Sequence, residues 1–390
     1  MKQYRIEEIC EVVSGGTPST KVANYWEGDI LWLTPKDLSS NATKWIYNSS
    51  SKITKAGLDN SAARMLPINT VLLSSRAPIG YLALVGKPLC TNQGFKSMIC
   101  NSNYVLPEYL YYYLQTKVEE LNSISTGSTF KELSGSLLKN YVVNLHDITT
   151  QQHIVDILGT LDEKIEYYDK LIKSLEHDGE LIFKIFIENK TQSKERICLS
   201  DIATFYNGYS YSGEELCDQS EEALVTIKNF DRNGGFKVEG FKPIRITGKI
   251  KPSMYVELGD LLVAHTDLTQ NADIIGNPII LFNLGQYNKA AISMDLVKVE
   301  SSRLSKELLY YILKSPDFKA HALGYCSGTT VLHLNKKALQ EYEFDLPIDN
   351  SLIDTISGKL RVIFERIQNA FLESQKLTQL KQLYLQKFFG

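Results

Sequence analysis

The sequence has 390 residues, of which 42 are lysine or arginine and 45 are aspartate or glutamate, so its formal net charge is −3. This length exceeds what one ordinary core accommodates and predicts two or three domains. With 43% hydrophobic and 22% charged residues, the chain has enough apolar side chains for a packed interior, which excludes wholesale disorder. A strongly basic protein is also excluded, so any contact with nucleic acid has to be local or supplied by a partner.

Cysteine usage and hydropathy indicate the compartment. The six cysteines lie at positions 10, 90, 100, 198, 217 and 326, and no two of them form a CxxC pair. This pattern is typical of ordinary thiols in a reducing cytosol. The first residues carry no apolar signal core, and no apolar run approaches the roughly 18 residues of a membrane helix. We therefore expect a soluble, cytoplasmic protein.

In chain order, the first half of the sequence predicts two short strands, a helix and a Gly-Ser/Thr turn. They fall at residues 30–33, 71–73, 110–114 and 125–129. The polar stretch 189–195 is typical of an exposed linker. The second half predicts three strands, a helix and a second turn, at residues 224–227, 260–263, 277–282, 309–313 and 326–330.

The two halves resemble each other at a shift of about 200 residues. The turn at 125–129 matches the turn at 326–330, and the same shift of 201 residues aligns Leu133 with Leu334, Leu138 with Leu339, Tyr141 with Tyr342 and Leu145 with Leu346. Such an internal repeat predicts one scaffold that occurs twice, with a different working surface in each copy.

A long apolar seam follows each copy. In the first copy its members are alternately four and three residues apart, and Gly179 takes the one missing place: Ile154, Leu158, Leu161, Ile165, Tyr168, Ile172, Leu175, Ile182 and Phe186. In the second copy, at a shift of 202, Ser374 and Lys381 stand at the gaps: Ile356, Leu360, Ile363, Ile367, Ala370, Leu377, Tyr384 and Phe388. A heptad pattern of this length predicts a coiled coil. The alternative is two amphipathic helices that each pack on their own domain.

Charge favours pairing of these two helices with each other. Residues 151–190 carry 5 basic and 9 acidic side chains, whereas residues 350–390 carry 6 and 3. Helices of opposite net charge attract each other, and each repels its own copy.

A search for catalytic motifs finds none. The sequence contains no GxxxxGK[ST] loop, GxSxG elbow, HExxH pair or Cys/His metal spacing. The string nearest to the Asn-Pro-Pro-aromatic motif of an adenine methyltransferase is Asn277-Pro278-Ile279-Ile280, which we interpret as the start of a strand. We therefore predict a chain that positions other molecules and holds no metal or catalytic residue.

Candidate DNA-binding side chains cluster where strands are predicted to end. Residues 1–150 carry 14 basic and 12 acidic side chains and residues 191–349 carry 17 and 21, so neither region is basic in bulk and contact depends on small clusters. The candidates are Lys36, Arg76, Asn92, Gln93 and Lys96, then Lys228, Asn229, Arg232, His265, Gln270 and Asn271, with Ser128 and Thr329 in the two turns. Lys36 and Lys228 hold equivalent positions, and these residue types read base edges or hold phosphates. The alternative for each one singly is a solvated surface residue.

Several motifs resemble one family. Residues 14–19 are Ser-Gly-Gly-Thr-Pro-Ser, residues 25–32 are Tyr-Trp-Glu-Gly-Asp-Ile-Leu-Trp, and Asp37-Leu38 follows. These strings, and the run from Gly127 to Val155, are similar to the opening and the exit of a recognition domain in type I restriction–modification specificity subunits. The second copy departs from the opening motif at Asn207-Gly208-Tyr209-Ser210.

The resemblance implies an α+β fold with a pseudo-two-fold internal repeat. It implies a target recognition domain at 1–150, a central spacer helix at 151–190, a second recognition domain at 191–349 and a C-terminal spacer helix at 350–390. The two helices would form an antiparallel coiled coil. Each recognition domain would read one half of a split double-stranded DNA target.

The resemblance also implies partners. Two modification subunits would methylate one adenine in each half-site, and two restriction subunits would join them in some complexes. S-adenosylmethionine, ATP and Mg are expected only in those partners, so no cofactor is expected in this chain. Two other functions remain as alternatives: a coiled-coil scaffold with two protein-binding heads, and a remnant of a fused methyltransferase–nuclease.

Overall fold

The computed structural model describes residues 1–40, 43–76, 78–126, 131–189, 192–232, 234–269 and 271–390. They form an α+β fold with mixed sheets that divides into two compact units, one of residues 1–165 with 377–390 and one of residues 166–376. Within the described ranges, no helix combines the length and the apolar character that a membrane span requires.

The strands of the first unit are β1 (Lys2–Arg5), β2 (Cys10–Ser14), β3 (Trp26–Leu33), β4 (Trp45–Ile46), β5 (Ser51–Ile53), β6 (Val71–Ser75), β7 (Ile79–Val85), β8 (Cys90–Thr91), β9 (Phe95–Cys100) and β10 (Val142–Leu145). Its helices are α1 (Ile6–Ile9), α2 (Pro35–Ser40), α3 (Lys55–Asp59), α4 (Pro107–Gln115), α5 (Val118–Ile124) and α6 (Gly135–Asn140). The long helix α7 (Ile148–Glu188) follows.

The strands of the second unit are β11 (Lys194–Cys198), β12 (Ala203–Asn207), β13 (Glu222–Val225), β14 (Lys242–Pro243), β15 (Tyr255–Val256), β16 (Leu261–Ala264), β17 (Thr266–Asp267), β18 (Pro278–Ile280), β19 (Lys289–Ile292), β20 (Leu296–Ser301), β21 (Cys326–Ser327), β22 (Leu332–Leu334) and β23 (Glu343–Pro347). Its helices are α8 (Leu199–Ile202), α9 (Lys306–Lys314), α10 (Pro316–Gly324) and α11 (Lys337–Gln340). The chain then enters the long helix α12 (Asn350–Phe389).

The main sheet of the first unit has the order β2-β9-β6-β7-β4. Its central strand β6 is buried on both faces, because Val71 and Leu73 point into one apolar cluster while Leu72 points into another. A strand buried on both faces has a continuous apolar sequence instead of an alternating one. This explains why the run at 71–73 was readable as a strand.

The second unit repeats this arrangement with the order β12-β20-β16-β18. Leu261 and Val263 of β16 point into one cluster and Leu262 into another. The strand β16 therefore occupies the place that β6 has in the first unit, and the same period of two residues divides its side chains between two cores.

The internal repeat is visible in backbone hydrogen bonds that occur once in each unit at matching positions. The matched bonds are Ile6 N to Tyr141 O (3.0 Å) with Leu199 N to Tyr342 O (2.8 Å), Leu133 N to Ser75 O (2.9 Å) with Leu334 N to His265 O (2.8 Å), and Asn92 N to Leu33 O (2.9 Å) with Ser293 N to Val225 O (2.9 Å). Strand registers agree with them, since Leu73 pairs with Lys96 and Val263 pairs with Val297. These bonds define residue equivalences between the units, such as Ser75 with His265.

Three predicted elements differ from the structure. The strand predicted at 277–282 is shorter and spans Pro278–Ile280. The strand predicted at 224–227 ends at Val225, because Thr226 begins a short turn in which its backbone N–H donates to Asn229 Oδ1 at 2.9 Å. The linker predicted at 189–195 is shorter, because β11 begins at Lys194 and pairs with β23. Residues 190 and 191 of that linker lie outside the described residues.

Both long helices form where the heptad pattern predicts them. Asp147 accepts the Thr150 N–H at 3.0 Å before the first turn of α7, and Asp349 accepts the Ser351 N–H at 2.9 Å near the start of α12. These side chains satisfy N–H groups that a helix start leaves unpaired. In each unit a segment of one helix shares an apolar cluster with the other, as Leu158 does with Phe389 in the first unit.

Candidate nucleic-acid interface

Three loops of the first unit meet at the ends of β3, β6 and β8. Asn92 N donates to Leu33 O at 2.9 Å and Ser75 N donates to Gly94 O at 2.8 Å. These bonds join the segments that carry five predicted residues: Lys36 in the first turn of α2, Arg76 after β6, Asn92 and Gln93 in the β8–β9 loop, and Lys96 near the start of β9. The sequence-predicted cluster of the first unit is therefore assembled by main-chain contacts.

A local cap holds the loop that presents Lys36. The Thr34 N–H and hydroxyl donate to Asp37 Oδ2 at 2.8 and 2.7 Å, and the Ser50 N–H donates to Asp37 Oδ1 at 2.9 Å. Burial by itself would raise the pKa of the Asp37 carboxyl, but the hydrogen bonds from Ser50 and Thr34 outweigh burial and lower that pKa. Asp37 thus fixes the turn, while the Lys36 side chain is exposed.

The Gly-Gly-Thr segment after β2 packs against the β8–β9 loop. Gly16 N donates to Thr91 O at 2.9 Å, and a Cβ on Gly15 would lie 2.1 Å from Asn92 O. A side chain at position 15 would collide with this backbone, so glycine is required there. Thr17 Oγ1 donates to Gln93 Oε1 at 2.5 Å, which orients the exposed Gln93 amide.

Asn92 has a role inside its own loop. Its Oδ1 accepts the Gly94 N–H at 2.9 Å, an interaction that closes an Asx-type turn. The side chain is half-buried, and its oxygen is occupied by the backbone that places Gln93.

Lys96 lies beneath the loops as a buried cation. Its side chain is 9% exposed, and its Nζ lies 3.9 Å from Glu132 Oε1. Burial lowers the pKa of Lys96, the Glu132 carboxylate raises it, and the positive charge of the nearby Arg76 lowers it again. Lys96 thus has one carboxylate within 4 Å and a second cation close enough to lower its pKa, and this arrangement favours the approach of another anion.

In the second unit, Lys228 and Asn229 have different environments. Lys228 is exposed, whereas Asn229 is fully buried. Asn229 Oδ1 accepts the Thr226 N–H at 2.9 Å, and its Nδ2 donates to Lys237 O at 2.8 Å. Asn229 is thus the equivalent of Asp37, a capping residue that holds the turn beneath the lysine.

His265 is also buried, with 7% of its surface exposed. Burial, and then the positive charge of Lys336, lower the pKa of His265 to about 4. The imidazole is therefore neutral near pH 7. Its Nε2 has no hydrogen-bond partner among the described residues.

A buried carboxylate holds the loop that carries Asn271. Asp267 is fully buried and accepts N–H groups from Thr269 at 2.8 Å and Ile274 at 2.7 Å. Burial by itself would raise the pKa of Asp267, but these backbone hydrogen bonds outweigh burial and lower that pKa. Lys319 Nζ donates to the carbonyls of Ala272 and Ile275 at 2.8 and 2.7 Å. Asn271 is exposed on this loop.

The remaining predicted residues lie on turns or outside the described residues. Arg232 is exposed in the turn after Phe230, and Thr329 is exposed beside Gly328, whose φ is +118°. Ser128 and Gln270 lie outside the described residues.

Sequence reasoning missed the residues that support these loops, among them Asp37, Glu132, Asp267 and Lys319. The first was readable, because Thr-x-x-Asp at 34–37 and Thr-x-x-Asn at 226–229 are turn-capping patterns. Glu132 and Lys319 act across long sequence separations, for which no local signal exists, whereas Asp267 accepts N–H groups from Thr269 and Ile274 of the loop that follows it.

Other site types receive no support in the described part of the chain. There, no group of three or more His, Cys, Asp or Glu residues is placed to hold a metal ion. A cavity of about 1080 Å³ in the second unit is lined by residues that include Phe183, Arg196 and Tyr342. None of the predicted DNA-contact residues lines that cavity.

The first half of the chain is similar to known proteins. Residues 1–177 match the family described as Type I restriction modification DNA specificity domain. Over 186 residues the chain is 42% identical to the type I restriction enzyme MjaIX specificity subunit of Methanocaldococcus jannaschii, a match that covers 47% of this chain and 41% of the relative. Over 162 residues it is 28% identical to the EcoR124I/EcoR124II specificity subunit of Escherichia coli, which covers 40% of this chain and 39% of the relative. These matches thus span about two fifths of the length of either relative.

Two further comparisons extend over most of the chain. The MjaVIII specificity subunit of Methanocaldococcus jannaschii is 23% identical over 367 residues, which are 88% of this chain and 81% of the relative. The crystal structure of a type I restriction–modification S subunit from M. genitalium aligns with a TM-score of 0.63 at 15% identity, over 100% of this chain and 96% of that one. That likeness shows a shared fold.

Proposed function

Since this chain belongs to the type I restriction–modification DNA specificity subunits, we propose that it selects the DNA sequence on which partner subunits act. The observation that carries the proposal is the repeated scaffold, which holds Lys36 in the first unit and Lys228 in the second on equivalent loops. Two copies of one scaffold with different loop side chains can read two different sequences. The target is accordingly bipartite, with residues 1–150 reading one half-site and residues 191–349 reading the other.

The predicted site residues divide into two roles by burial. The exposed side chains of Lys36, Lys228 and Arg232 contact phosphates or base edges, and the exposed amides of Gln93 and Asn271 read base edges in the major groove. Asn229 and His265 are buried and shape the loops instead. Thr329, Ser128 and Gln270 remain predicted DNA contacts in this proposal. Asn92 positions Gln93.

Arg76 and Lys96 form the phosphate contact of the first unit. The carboxylate of Glu132 lies 3.9 Å from Lys96 Nζ and can neutralise only one of the two cations, so positive charge remains for a phosphodiester. Charge-assisted bonds to phosphate are strong. Phosphate contacts fix the position of a protein on the duplex without reading sequence. Lys96 and Arg76 therefore align the first unit so that Gln93 meets a base.

The two long helices form an antiparallel coiled coil that spaces the half-sites. Support comes from seam residues buried within each unit, such as Leu158 with Phe389 and Leu175 with Ile363 and Ile367. The 41 residues of α7 extend about 60 Å at roughly 1.5 Å per residue. A helix of that length is long enough to separate two recognition domains that bind two half-sites of one DNA duplex.

The chain performs no chemistry in this proposal. Two modification subunits use the pseudo-two-fold repeat as two similar docking sites, and restriction subunits join where the host encodes them. S-adenosylmethionine, ATP and Mg belong to these cytoplasmic partners. Weak DNA affinity of the chain alone follows from its net charge of −3, since phosphate contact requires positive charge.

Adenine-methylation sequencing in a host with and without this chain tests the proposal. We expect one split sequence to be methylated only when the chain and its modification subunits are both present. Mobility-shift assays at matched salt should show a sequence-preferring complex that needs the modification subunits. Methyl transfer by the purified chain alone would contradict a non-catalytic role. A complex without sequence preference would favour the scaffold alternative.

A further inference from the structure

The first unit contains a half-buried polar contact between α7, the end of α12 and α4. Asp162 Oδ1 lies 2.6 Å from Lys381 Nζ, and Tyr112 Oη donates to Asp162 Oδ2 at 2.6 Å. The side chains of Asp162 and Lys381 are 19% and 18% exposed, and Tyr112 is fully buried. The gap that Lys381 makes in the apolar seam is therefore filled by an ion pair.

Tyr112 remains a hydrogen-bond donor in this contact. Burial, followed by the negative charge of Asp162, raises the pKa of Tyr112 far above its ordinary value. Lys44 Nζ lies 2.9 Å from the same hydroxyl and 2.6 Å from Glu108 Oε1. The phenol is thus fixed from both sides, and Asp162 is oriented toward the position of Lys381.

In the second unit, the gap in the apolar seam is filled without a charged side chain. A Cβ on Gly179 of α7 would lie 1.8 Å from Tyr311 Oη. The Tyr311 ring also contacts Phe364 of α12, with ring centroids 5.7 Å apart. Tyr311 is 2% exposed and Phe364 is 7% exposed. The gap that Gly179 makes in its seam is therefore filled by a tyrosine ring.

The two contacts occupy equivalent places in the repeat. At the seam shift of 202 residues, Gly179 corresponds to Lys381 and Asp162 corresponds to Phe364. Tyr112 corresponds to Tyr311, because α4 and α9 align at a shift of 199. One unit thus combines Tyr, Asp and Lys where the other combines Tyr, Phe and Gly.

Because the two combinations differ, the end of α12 and the second half of α7 cannot take each other's place in the two units. If the second half of α7 from another copy entered the first unit, glycine would face Asp162 and leave a half-buried carboxylate without its lysine. If the end of α12 entered the second unit, Lys381 would stand where even a Cβ meets the Tyr311 hydroxyl. A buried charge without a partner is strongly unfavourable, and a filled site does not accept a longer side chain.

We propose that the contact of Asp162, Tyr112 and Lys381 makes the first unit a selective docking surface for the C-terminal part of α12 and excludes the second half of α7, including that of a second copy. Repeated domains are prone to exchange of equivalent elements between chains. A polar pair within an apolar seam decides which partner a helix accepts.

A double-mutant cycle on the full-length chain tests this selectivity. The variants are D162N, K381M and D162N/K381M, and the readouts are the urea midpoint and the share of oligomer after refolding at rising protein concentration, measured by light scattering. Each single variant should lower the midpoint, and the double variant should lower it by less than the two single shifts together. All three should form more oligomer than the unaltered chain.

Two further variants separate selectivity from simple loss of stability. E166Q/K170M removes an exposed ion pair of the same helix, with atoms 2.8 Å apart, and should leave the midpoint and the share of oligomer unchanged. K381R keeps the positive charge and should return the share of oligomer close to that of the unaltered chain. Additive midpoint shifts in the cycle, or no more oligomer in K381M than in K381R, would overturn the proposal.

Discussion

The loops of the two units are held by equivalent bonds but differ in charge. At the end of the central strand the first unit has Arg76, and β9 contributes Lys96. The strand registers place Thr266 and Val297 at those positions in the second unit. A third cation of the first unit has an equivalent in the other unit, since Lys36 follows β3 in the first unit and Lys228 follows β13 in the second.

This difference indicates how one scaffold serves two tasks. Backbone hydrogen bonds and alternation between two apolar clusters maintain the sheet, and neither depends on which side chains the loops carry. In the first unit, the buried Lys96 and the half-buried Arg76 are the cations that we propose for phosphate contact. In the second unit, a longer loop held by Asp267 and Lys319 presents Asn271 instead. In the proposed function, the first unit accordingly anchors the complex on DNA, and the second contributes more through shape.

Exchange of a whole recognition domain should have the largest effect on this comparison. Replacing residues 1–150 with the corresponding domain of another specificity subunit should change one half of the methylated sequence completely. The other half should stay the same, because residues 191–349 have their own cores. Methylation sequencing gives the result. A change in both halves would show that the boundaries 1–150 and 191–349 are wrong.

Removal of the cations should affect the two units unequally. R76Q/K96M should weaken DNA binding by the assembled complex about tenfold or more, and should reduce the slope of log K against log salt by about two. K228Q should reduce that slope by about one. Binding titrations at several salt concentrations measure both.

Two variants sharpen this prediction. E132Q removes the carboxylate that competes for Lys96, so it should strengthen binding. K139Q removes an exposed lysine of α6 to which we assign no DNA contact, and it should leave the slope unchanged. Equal losses in K139Q and R76Q/K96M would show that bulk charge, rather than the Arg76–Lys96 site, attracts the phosphate.

D267N should loosen the loop of the second unit. It weakens the hydrogen bonds from Thr269 and Ile274, at an expected cost of about 1–3 kcal/mol in the free energy of unfolding. The pKa of Asp267 is lowered in the folded chain, so its contribution is complete at neutral pH and is lost as the pH falls through the unfolded value near 3.8 and below. Urea unfolding from pH 7 to pH 3 should therefore show a smaller decline in D267N. The same decline in both chains would contradict this account.

The last prediction compares two glycines of the first unit, one of which lies at the contact between two loops. G15A places a Cβ 2.1 Å from Asn92 O and should cost about 1–3 kcal/mol through overpacking. Gly159, in α7 of the same unit, has no heavy atom within 4 Å of a built Cβ. G159A should therefore stabilise the chain by about 0.5–1 kcal/mol through helix propensity. Thermal unfolding of both variants distinguishes the two effects, and equal shifts would contradict the close approach.

Much of the fold could be predicted from the sequence because its strands and helices depend on residues that are close together in the chain. The buried strand at 71–73 and the helix at 110–114 depend on the chemistry of consecutive residues, and the structure confirms both. The candidate site was readable only in part. Lys36 and Gln93 are exposed on joined loops, whereas Asn229 and His265 are buried, because burial depends on chain segments that are distant in the sequence.

By itself, the sequence determined that one plan occurs twice and that each copy ends in a long helix with an apolar seam, since repeats and heptads are periodic patterns along the chain. Only the tertiary structure decided what fills the gaps in those seams. Gly179 makes room for Tyr311, Ser374 donates to Asp169 Oδ1 at 3.2 Å, and Lys381 pairs with Asp162. A break in a heptad shows that no apolar residue is needed at that place, but the side chain that fills it comes from another segment, and folding alone brings the two together.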